Sequence, residues 1–448
     1  MAGQTARTAA GAEPAATGAL TPELLAAIDR DLAPVDAELA GRYPGDPAGR
    51  RPVHTVYVPA DRLAPGTARA WGERALEALD RHAPDAAALA DVLGTPAALA
   101  DEVHRRVRAK LEREPVEDLR IDFEDGYGVR SDAEEDAHLD AAVAALADDR
   151  RAGTATPWAG IRTKCLEAPV RARALRTLDR FVAALVDAGL LGAPPGGDPE
   201  HPGAAPGGLL LTLPKVTYPQ QVTAFVTALA AIERAHHLPA GALRFEVQVE
   251  TPQAILGADG RATVARLLTA GAGRITGLHY GTYDYSASLG VAAAHQSLDH
   301  PAADHAKAVM QLAAAGTGVR VSDGSSNVVP VGDTEAVHAA WRLHHRLVRR
   351  SLARAYYQGW DMHPAQLPTR YAAVYTFYRE GLPAAVDRLA AYRRGAGGGV
   401  LDEPATARAL AGFLLRGVDC GALDEDEVTG PTGLARTDLD RMAGRSVT

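Results

Sequence analysis

The sequence predicts an α/β fold in which eight parallel strands, each followed by helix, close into a (β/α)8 TIM barrel. Two observations favour it. Eight short apolar segments alternate with helix-sized intervals, and most of these segments end in polar residues. Alternating strands and helices are typical of parallel sheets, and eight such units are the number that closes this barrel. We expect an N-terminal helical extension and a C-terminal helical appendage to flank it.

The N-terminal extension is predicted in two parts. Residues 1–20 are expected to be a disordered lead-in, because they lack the continuous apolar stretch of a signal peptide. A helix is then predicted from Thr21, whose side chain suits an N-cap and which Pro22 follows in the first turn. We assign residues 21–52 to this helix and a turn region.

The barrel is assigned to residues 53–368. A helical region from Pro65 to about Glu112, interrupted near Gly94–Pro96, separates the first two strands. The segment Gly192–Gly208 lengthens one interval and, being rich in proline and glycine, is interpreted as a surface insertion. The eight predicted strands lie in HTVYVPA, LRIDFED, WAGIRTK, GLLLTLPK, FEVQVET, RITGLHYGTYD, GVRVSDG and GWDMHP.

Residues 369–448 are assigned to a C-terminal helical appendage and tail. Two helical stretches are predicted there, separated by the glycine linker GAGGG. After Leu423 the sequence becomes acidic, and we expect this tail to fray.

Composition narrows the class of partner. The 448 residues carry a formal net charge of −9, which argues against a nucleic-acid surface and against a polybasic membrane patch. No apolar stretch reaches the roughly 18 residues of a membrane span. The two cysteines, Cys165 and Cys420, exclude a disulfide framework and lack zinc-ligand spacing. We therefore expect a protein of the reducing cytoplasm.

Two carboxylates are the strongest candidates for chemistry. Glu250 ends the segment FEVQVET, and Asp284 follows 34 residues later in GLHYGTYDYSASLG. That spacing is one strand–helix–strand unit, so both side chains are expected at the carboxyl ends of neighbouring strands. Magnesium prefers oxygen ligands and usually takes one or two protein carboxylates. The pair predicts a divalent-metal site, although either acid alone could instead cap a helix or pair with an arginine.

Arg162, in GIRTK, is expected at the same end of the barrel. There a fixed cation could hold the enolate oxygen or the carboxylate of a 2-oxo acid. Its structural alternative is an ion pair with Glu124 or Asp125. The predicted functional role of those two acids is to bind metal-bound water or to orient Arg162, and structural pairing is their alternative.

Three further strand-end residues are candidates. Lys215, in LPKV, could form a Schiff base with a carbonyl substrate, but beside two metal-type carboxylates a charged, ion-paired lysine is favoured. Asp361 and His363, in GWDMHP, are predicted to close the far side of the site or to act as general acid or base. A histidine before proline can also simply end a strand. His279, before the glycine turn, could point at the site.

These motifs resemble those of the HpcH/HpaI aldolase and citrate lyase β-subunit (CitE-like) family, in the phosphoenolpyruvate/pyruvate superfamily. QVET and GTYDYSASLG are similar to its glutamate and aspartate metal-ligand motifs. Between residues 53 and 370 the other matching motifs follow in the family's order: YVPA, IDFED, IRTK, LPKV and MHPAQ.

The resemblance implies a carbon–carbon lyase of the aldolase or acyl-CoA lyase type, dependent on Mg2+ or Mn2+. It would cleave or form a hydroxy acid through a metal-bound enolate of a 2-oxo acid or acyl thioester, with Glu250 and Asp284 as metal ligands. The substrate would be a 2-oxo or hydroxy acid, free or as a coenzyme A thioester, and the assembly a homo-oligomer. The implied substrate-binding residues are Arg162, Lys215, Gly281, Thr282 and Tyr283.

Three other functions fit the same sequence. A thioester hydrolase or a malate-synthase-like condensing enzyme could use the same residues, and release of free thiol without a change in carbon–carbon bonds would identify the hydrolase. A non-catalytic barrel that serves as a binding subunit is the alternative from another class. The joint presence of Glu250, Asp284 and Arg162 argues against it.

Overall fold

The computed structural model describes residues 19–191, 209–394 and 403–445. The predicted insertion, the GAGGG linker and residues 1–18 of the predicted lead-in lie outside this part. The chain divides into two compact units, Met1–Pro44 and Gly45–Thr448. In the first, helix α1 spans Pro22–Arg42, and the Leu24 amide donates to Thr21 Oγ1 at 3.3 Å, which confirms the predicted cap.

The second unit contains eight parallel strands. Neighbours in sequence pair from β1 to β7, and β8 pairs with β1. A parallel bridge from Ser322 to Gln358 then links β7 to the chain entering β8, which closes the barrel. All eight predicted strands and the predicted fold are confirmed. The strands are β1 (His54–Pro59), β2 (Asp118–Asp122), β3 (Trp158–Arg162), β4 (Leu209–Leu213), β5 (Arg244–Val249), β6 (Ile275–Tyr280), β7 (Arg320–Ser322) and β8 (Gly359–Asp361).

Helices surround the strands and extend beyond them. The predicted interruption near Gly94–Pro96 is confirmed, because Gly94 ends α3 in the left-handed conformation. None of the described helices is long and apolar enough to cross a membrane. The helices of this unit are α2 (Thr67–His82), α3 (Ala86–Leu93), α4 (Ala97–Arg113), α5 (Asp132–Ala152), α6 (Arg171–Asp187), α7 (Pro219–Ala235), α8 (Pro252–Ile255), α9 (Thr263–Ala270), α10 (Thr282–Ser288), α11 (Pro301–Ala314), α12 (Thr334–Ala353), α13 (Leu367–Arg393), α14 (Pro404–Asp419), α15 (Glu425–Thr432) and α16 (Arg436–Ala443).

The core lies between the strands and the surrounding helices. Alternate strand residues are apolar and fully buried in this layer, as at Ile121, Ile161, Leu211, Val247 and Leu278. Burying each such side chain contributes about 1.5–3 kcal/mol. Because side chains alternate along a strand, the residues between these positions face the barrel interior. Those interior positions carry the polar groups described below.

The C-terminal segment contains more helix than the sequence predicted. Helix α13 follows β8 after a short 3-10 turn, Pro364–Gln366, and packs on α4, α12 and α14. The expectation that the chain frays after Leu423 was wrong, because α15 and α16 continue to Ala443. Its acidic residues make local bonds instead of repelling one another: the Asp424 amide donates to Glu427 Oε2 at 2.8 Å, and Arg441 pairs with Asp438 at 3.0 Å.

Candidate active site

Polar side chains occupy the barrel interior. Four of them form one group of ion pairs, which we call the lower tier: Arg120, Glu246, His279 and Arg320. Arg120 of β2 reaches Glu246 of β5 at 2.6 Å, a contact that is possible only across the interior. Glu246 also lies 2.6 Å from His279 Nε2 and 2.6 Å from Arg320 Nη2. Burial opposes ionisation, yet these three partners hold the pKa of Glu246 well below its usual value. His279 is therefore engaged within the lower tier.

Above the lower tier, Arg162 is fixed at the carboxyl end of β3. Its Nε and Nη2 each donate to Asp122 at 2.7 Å, as a bidentate pair. Its guanidinium also lies 4.6 Å from the ring centre of Tyr57 and 5.4 Å from that of Trp360. Although burial opposes the charge, Asp122 keeps the pKa of Arg162 above its usual value. Arg162 is thus a permanent cation with a fixed orientation.

The predicted ion pair of Arg162 with Glu124 is present, but it is not the shortest ion pair that Arg162 forms. Neither Glu124 nor Asp125 is its main partner, and Glu124 Oε2 lies 3.6 Å from Arg162 Nη1. Asp122 takes this role because the register of β2 and β3 places it directly opposite Arg162. The alternation in LRIDFED, with polar residues at 120, 122 and 124, was the signal that could have identified it.

Lys215 connects the acids at the mouth of the barrel. Its Nζ lies 2.7 Å from Glu124 Oε1, 2.7 Å from Asp125 Oδ1 and 3.6 Å from Asp284 Oδ2. Its backbone is left-handed, with φ +51°, and its amide donates to Glu250 Oε1 at 2.7 Å. Despite burial, the hydrogen bonds to Asp125 and Glu124 raise the pKa of the Lys215 ammonium. The structure therefore contains the charged, ion-paired lysine and not a neutral amine.

Glu250 is a buried acid with little compensating charge. It is 2% exposed, and no ion pair among the described residues includes it. Burial raises the pKa of Glu250 to about 8; Arg162 opposes this rise, and Glu124 and Asp284 add to it. Three carboxylates therefore act on one small region.

Asp284 reaches the same region from the first turn of α10, and its side chain is 46% exposed. A Cβ on Gly281 would lie 2.4 Å from the Cβ of Glu250, so only glycine allows the two chains to approach this closely. The side chains of Thr282 and Tyr283 both donate to the Ser325 carbonyl, at 3.2 and 3.3 Å. They hold α10 in place, and the backbone amides at its start have no partner within the helix.

The donor set fits a hard divalent cation. Glu250 and Asp284 offer carboxylate oxygens. Burial chiefly raises the pKa of Glu250, Glu124 and Asp284 add to the rise, and a bound cation would favour the ionised form. Within the described ranges, no group of three or more His, Cys, Asp or Glu side chains could hold a metal by itself. Magnesium does not require one, because substrate and water usually complete its coordination.

The structure contradicts the predicted position of Asp361. Trp360 faces the interior, so Asp361 faces the helices on the outside of the barrel. There it is fully buried, 2.8 Å from Arg370 Nη2, 2.7 Å from His54 Nδ1 and 3.1 Å from His344 Nε2. Burial opposes its charge, but Arg370 and the two histidines hold the pKa of Asp361 well below its usual value. Asp361 is therefore a structural acid.

His363 ends the strand region as a cap. Its Nδ1 accepts the Ala365 amide at 3.2 Å, and its own amide donates to Gln366 Oε1 at 3.2 Å. Burial lowers the pKa of the ring. A role for His363 as acid or base stays a prediction.

Comparison with solved structures shows the fold. The structure of a citrate lyase from Burkholderia xenovorans LB400 is 19% identical, with 86% of this chain and 97% of that chain covered and a TM-score of 0.56. CitE from Mycobacterium tuberculosis, in complex with magnesium, acetoacetate and coenzyme A, is 18% identical over 84% and 98% of the two chains, with a TM-score of 0.47. A Haloferax volcanii malate synthase is 13% identical over 87% and 100%, with a TM-score of 0.44. The resemblance to the citrate lyase family is thus confirmed at the level of the fold.

Sequence comparisons identify the family. A search of curated proteins found no match. The family model described as "Domain of unknown function (DUF6986)" matches residues 32–447, which is most of the chain. The chain therefore belongs to the DUF6986 family.

Proposed function

We propose that this protein is a divalent-metal-dependent carbon–carbon lyase of the aldolase or acyl-CoA lyase type, which cleaves or forms a hydroxy acid through an enolate. The observation that carries the proposal is the buried, under-compensated Glu250 beside Asp284, facing the fixed cation of Arg162. Glu250 and Asp284 would hold Mg2+ or Mn2+. When bound, the ion would polarise the oxygens of a 2-oxo acid or acyl thioester.

Arg162 would stabilise the negative charge that develops on the enolate oxygen. Asp122 accepts from Nε and Nη2, whereas the contacts of Nη1 among the described residues are long, 3.4 Å to Gln248 and 3.6 Å to Glu124. Nη1 is therefore the donor available to substrate. A charge-assisted hydrogen bond from a preorganised, buried donor contributes roughly 3–4 kcal/mol to transition-state stabilisation. The backbone amides at Gly281–Tyr283 would bind the substrate carboxylate.

Glu124 would carry the proton. Burial raises its pKa, with Arg162 opposing and Asp125 adding to the rise, and Lys215 holds it in place at 2.7 Å. In the cleavage direction, Glu124 takes the hydroxyl proton, a carbonyl forms, and the electrons of the broken carbon–carbon bond pass into the enolate. Glu124 then gives this proton to the enolate carbon, which completes the reaction and restores the Glu124 carboxylate.

The test is turnover with a substrate panel. The protein is incubated with pyruvate and a set of aldehydes, and separately with malyl-type thioesters, with and without magnesium. We expect magnesium-dependent formation or cleavage of a carbon–carbon bond, lost in Glu250→Ala and retained in the exposed control Asp259→Ala. The proposal fails if no substrate turns over and Glu250→Ala binds metal as well as the wild type. Free thiol released without carbon–carbon change would establish the thioester hydrolase.

We also propose that the protein forms a homo-oligomer in the cytoplasm. Helix α1 buries none of its residues and exposes apolar side chains at spacings of three and four, which is the pattern of a helix that pairs with another helix. These side chains are Leu24, Ile28, Leu32, Val35 and Leu39.

Both cysteines are free and buried, which supports a reducing compartment.

A further inference from the structure

A cavity of about 310 Å³ lies at the opposite end of the barrel from the candidate active site. Arg320 is the first residue of β7, Gln358 precedes β8, and Val53 precedes β1, so the cavity opens where these strands begin. The residues assigned above to the lyase reaction all lie at the carboxyl ends of the strands. None of them lines this cavity.

Positive charge predominates in the lining of this cavity, which we call the arginine cavity. Four arginines line it against two aspartates, Asp46 and Asp419. Asp419 forms an ion pair with Arg445 at 2.8 Å. Asp46 lies farther from its two arginines, 3.6 Å from Arg51 and 3.4 Å from Arg416. The four arginines are Arg51, Arg320, Arg416 and Arg445.

Two guanidinium groups of the cavity carry donors that are unsatisfied among the described residues. Within the described part of the chain, Arg51 Nη2 and Arg320 Nε are buried and have no hydrogen-bond partner. The nearest acid to Arg51 is Asp46, at 3.6 Å. Burial lowers the pKa of Arg51 to about 10; Asp46 opposes this, and Arg320, Arg416 and Arg445 lower the pKa further. Buried donors and like charges in one cavity are costly unless an anion accompanies them.

Apart from Gln311 and Gln358, the remaining side chains of the arginine cavity are mostly apolar or aromatic. Val53, Val319 and Ala314 contribute aliphatic groups, and Tyr357 contributes a ring on which the Arg416 guanidinium stacks at 4.5 Å. Inorganic phosphate would satisfy the arginines but leave this surface uncovered. A ligand with both an anionic group and an apolar body matches the whole cavity.

We propose that the arginine cavity is a second ligand site, which binds a small organic anion through a carboxylate or phosphate at Arg51 and Arg320 and covers Tyr357 and Val53 with its apolar body. This site does not depend on the lyase reaction, because none of the residues to which that reaction assigns a role lines the cavity. Arg320 also bonds Glu246, so it links the cavity to the lower tier of the barrel.

Isothermal titration calorimetry on the full chain tests this site. The probes are benzoate and phenyl phosphate, with inorganic phosphate and uncharged benzyl alcohol as controls. We expect benzoate or phenyl phosphate to bind with a Kd below about 1 mM, and whichever binds more tightly identifies the anionic group. Arg51→Met is expected to weaken binding at least tenfold without loss of folding, because it removes an unsatisfied buried donor.

Two other variants complete the experiment. Arg416→Met removes the stacked cation and should also weaken binding, so the outcome does not depend on one variant. Arg354→Met is the matched control, because Arg354 pairs with Asp304 and does not line the cavity. Absence of binding by both probes, equal binding of inorganic phosphate, or unchanged affinity in Arg51→Met and Arg416→Met would overturn the proposal.

Discussion

Two buried glutamates lie on the interior side of the β5 segment. Removal of the negative charge should raise the stability of the folded protein at one of them and lower it at the other. Glu246 and Glu250 lie four residues apart, and each is at most 2% exposed. Glu246 is paired with Arg120, His279 and Arg320, whereas within the described ranges Glu250 accepts only the Lys215 amide, at 2.7 Å. Replacement of each by glutamine removes the charge and nearly preserves the volume.

In metal-free protein, Glu250→Gln is expected to be more stable than the wild type at alkaline pH. As the pH rises, the unfolded carboxyl loses its proton near 4.5 and the folded one near 8, so the wild type loses stability between these values. That difference in pKa corresponds to at most about 5 kcal/mol. Glutamine avoids this cost, so the advantage of the variant should be largest above pH 8 and small near pH 5.

Glu246→Gln is expected to change the stability in the opposite direction. It leaves the buried guanidinium groups of Arg120 and Arg320 without their shared carboxylate, and breaking a buried ion pair in this way costs about 3–5 kcal/mol. Because the folded pKa of Glu246 is lowered, its contribution is present above pH 4.5 and is lost as the pH falls through the folded value. The variant should therefore be less stable throughout the neutral and alkaline range.

Urea denaturation from pH 5 to 9, first in EDTA and then in millimolar magnesium, measures both effects. Magnesium should stabilise the wild type above pH 7 and have little effect on Glu250→Gln, because ligands that bind only the folded state raise its stability. Parallel pH profiles for the wild type and Glu250→Gln in EDTA would refute the electrostatic account of this site. An equal magnesium effect on both would remove Glu250 from the metal site.

Three other side chains give testable expectations. Asp361→Asn leaves Arg370 buried without its carboxylate, so urea denaturation should show a free energy of unfolding lower by about 3–5 kcal/mol. The kcat of the folded fraction should be unchanged. Normal stability with lost turnover would make Asp361 catalytic. Because Lys215 is held charged, borohydride treatment with pyruvate should leave the intact mass unchanged, and an adduct on Lys215 would establish a Schiff base. Ile28→Asp should lower the mass measured by light scattering, whereas Asp29→Asn should not; equal masses would show that α1 does not mediate assembly.

The strands and their order could be predicted because each is a short apolar segment bounded by polar residues, and a parallel barrel requires little else. Glu250 and Asp284 could be proposed from the sequence because they follow predicted strands. Once the number and order of the strands are known, the end of the barrel at which such residues lie is also known. The positions of Asp361 and Asp122 depend on which face each residue occupies. In short strands such as β8, a one-residue error of phase moves a side chain from the interior to the helix layer.

Other features depend on contacts that are distant in sequence. The arginine cavity combines Arg51, Arg320, Arg416 and Arg445, which lie almost 400 residues apart in sequence at the extremes. No local pattern marks them as neighbours. The helices after Leu423 were missed for a related reason, because the acids that predicted fraying are compensated by arginines such as Arg106, which lies 2.6 Å from Asp424.

Exchange of the methyl protons of pyruvate and of acetyl coenzyme A in D2O, followed by proton NMR, tests the central claim most directly, because it detects the enolate without knowledge of the second substrate. We expect magnesium-dependent exchange with at least one of the two compounds, reduced at least 100-fold in Arg162→Lys, abolished in Glu250→Gln and unchanged in Asp259→Ala. Absence of exchange with both compounds, or exchange that persists in Glu250→Gln and Arg162→Lys, would contradict an enolate held between these two residues.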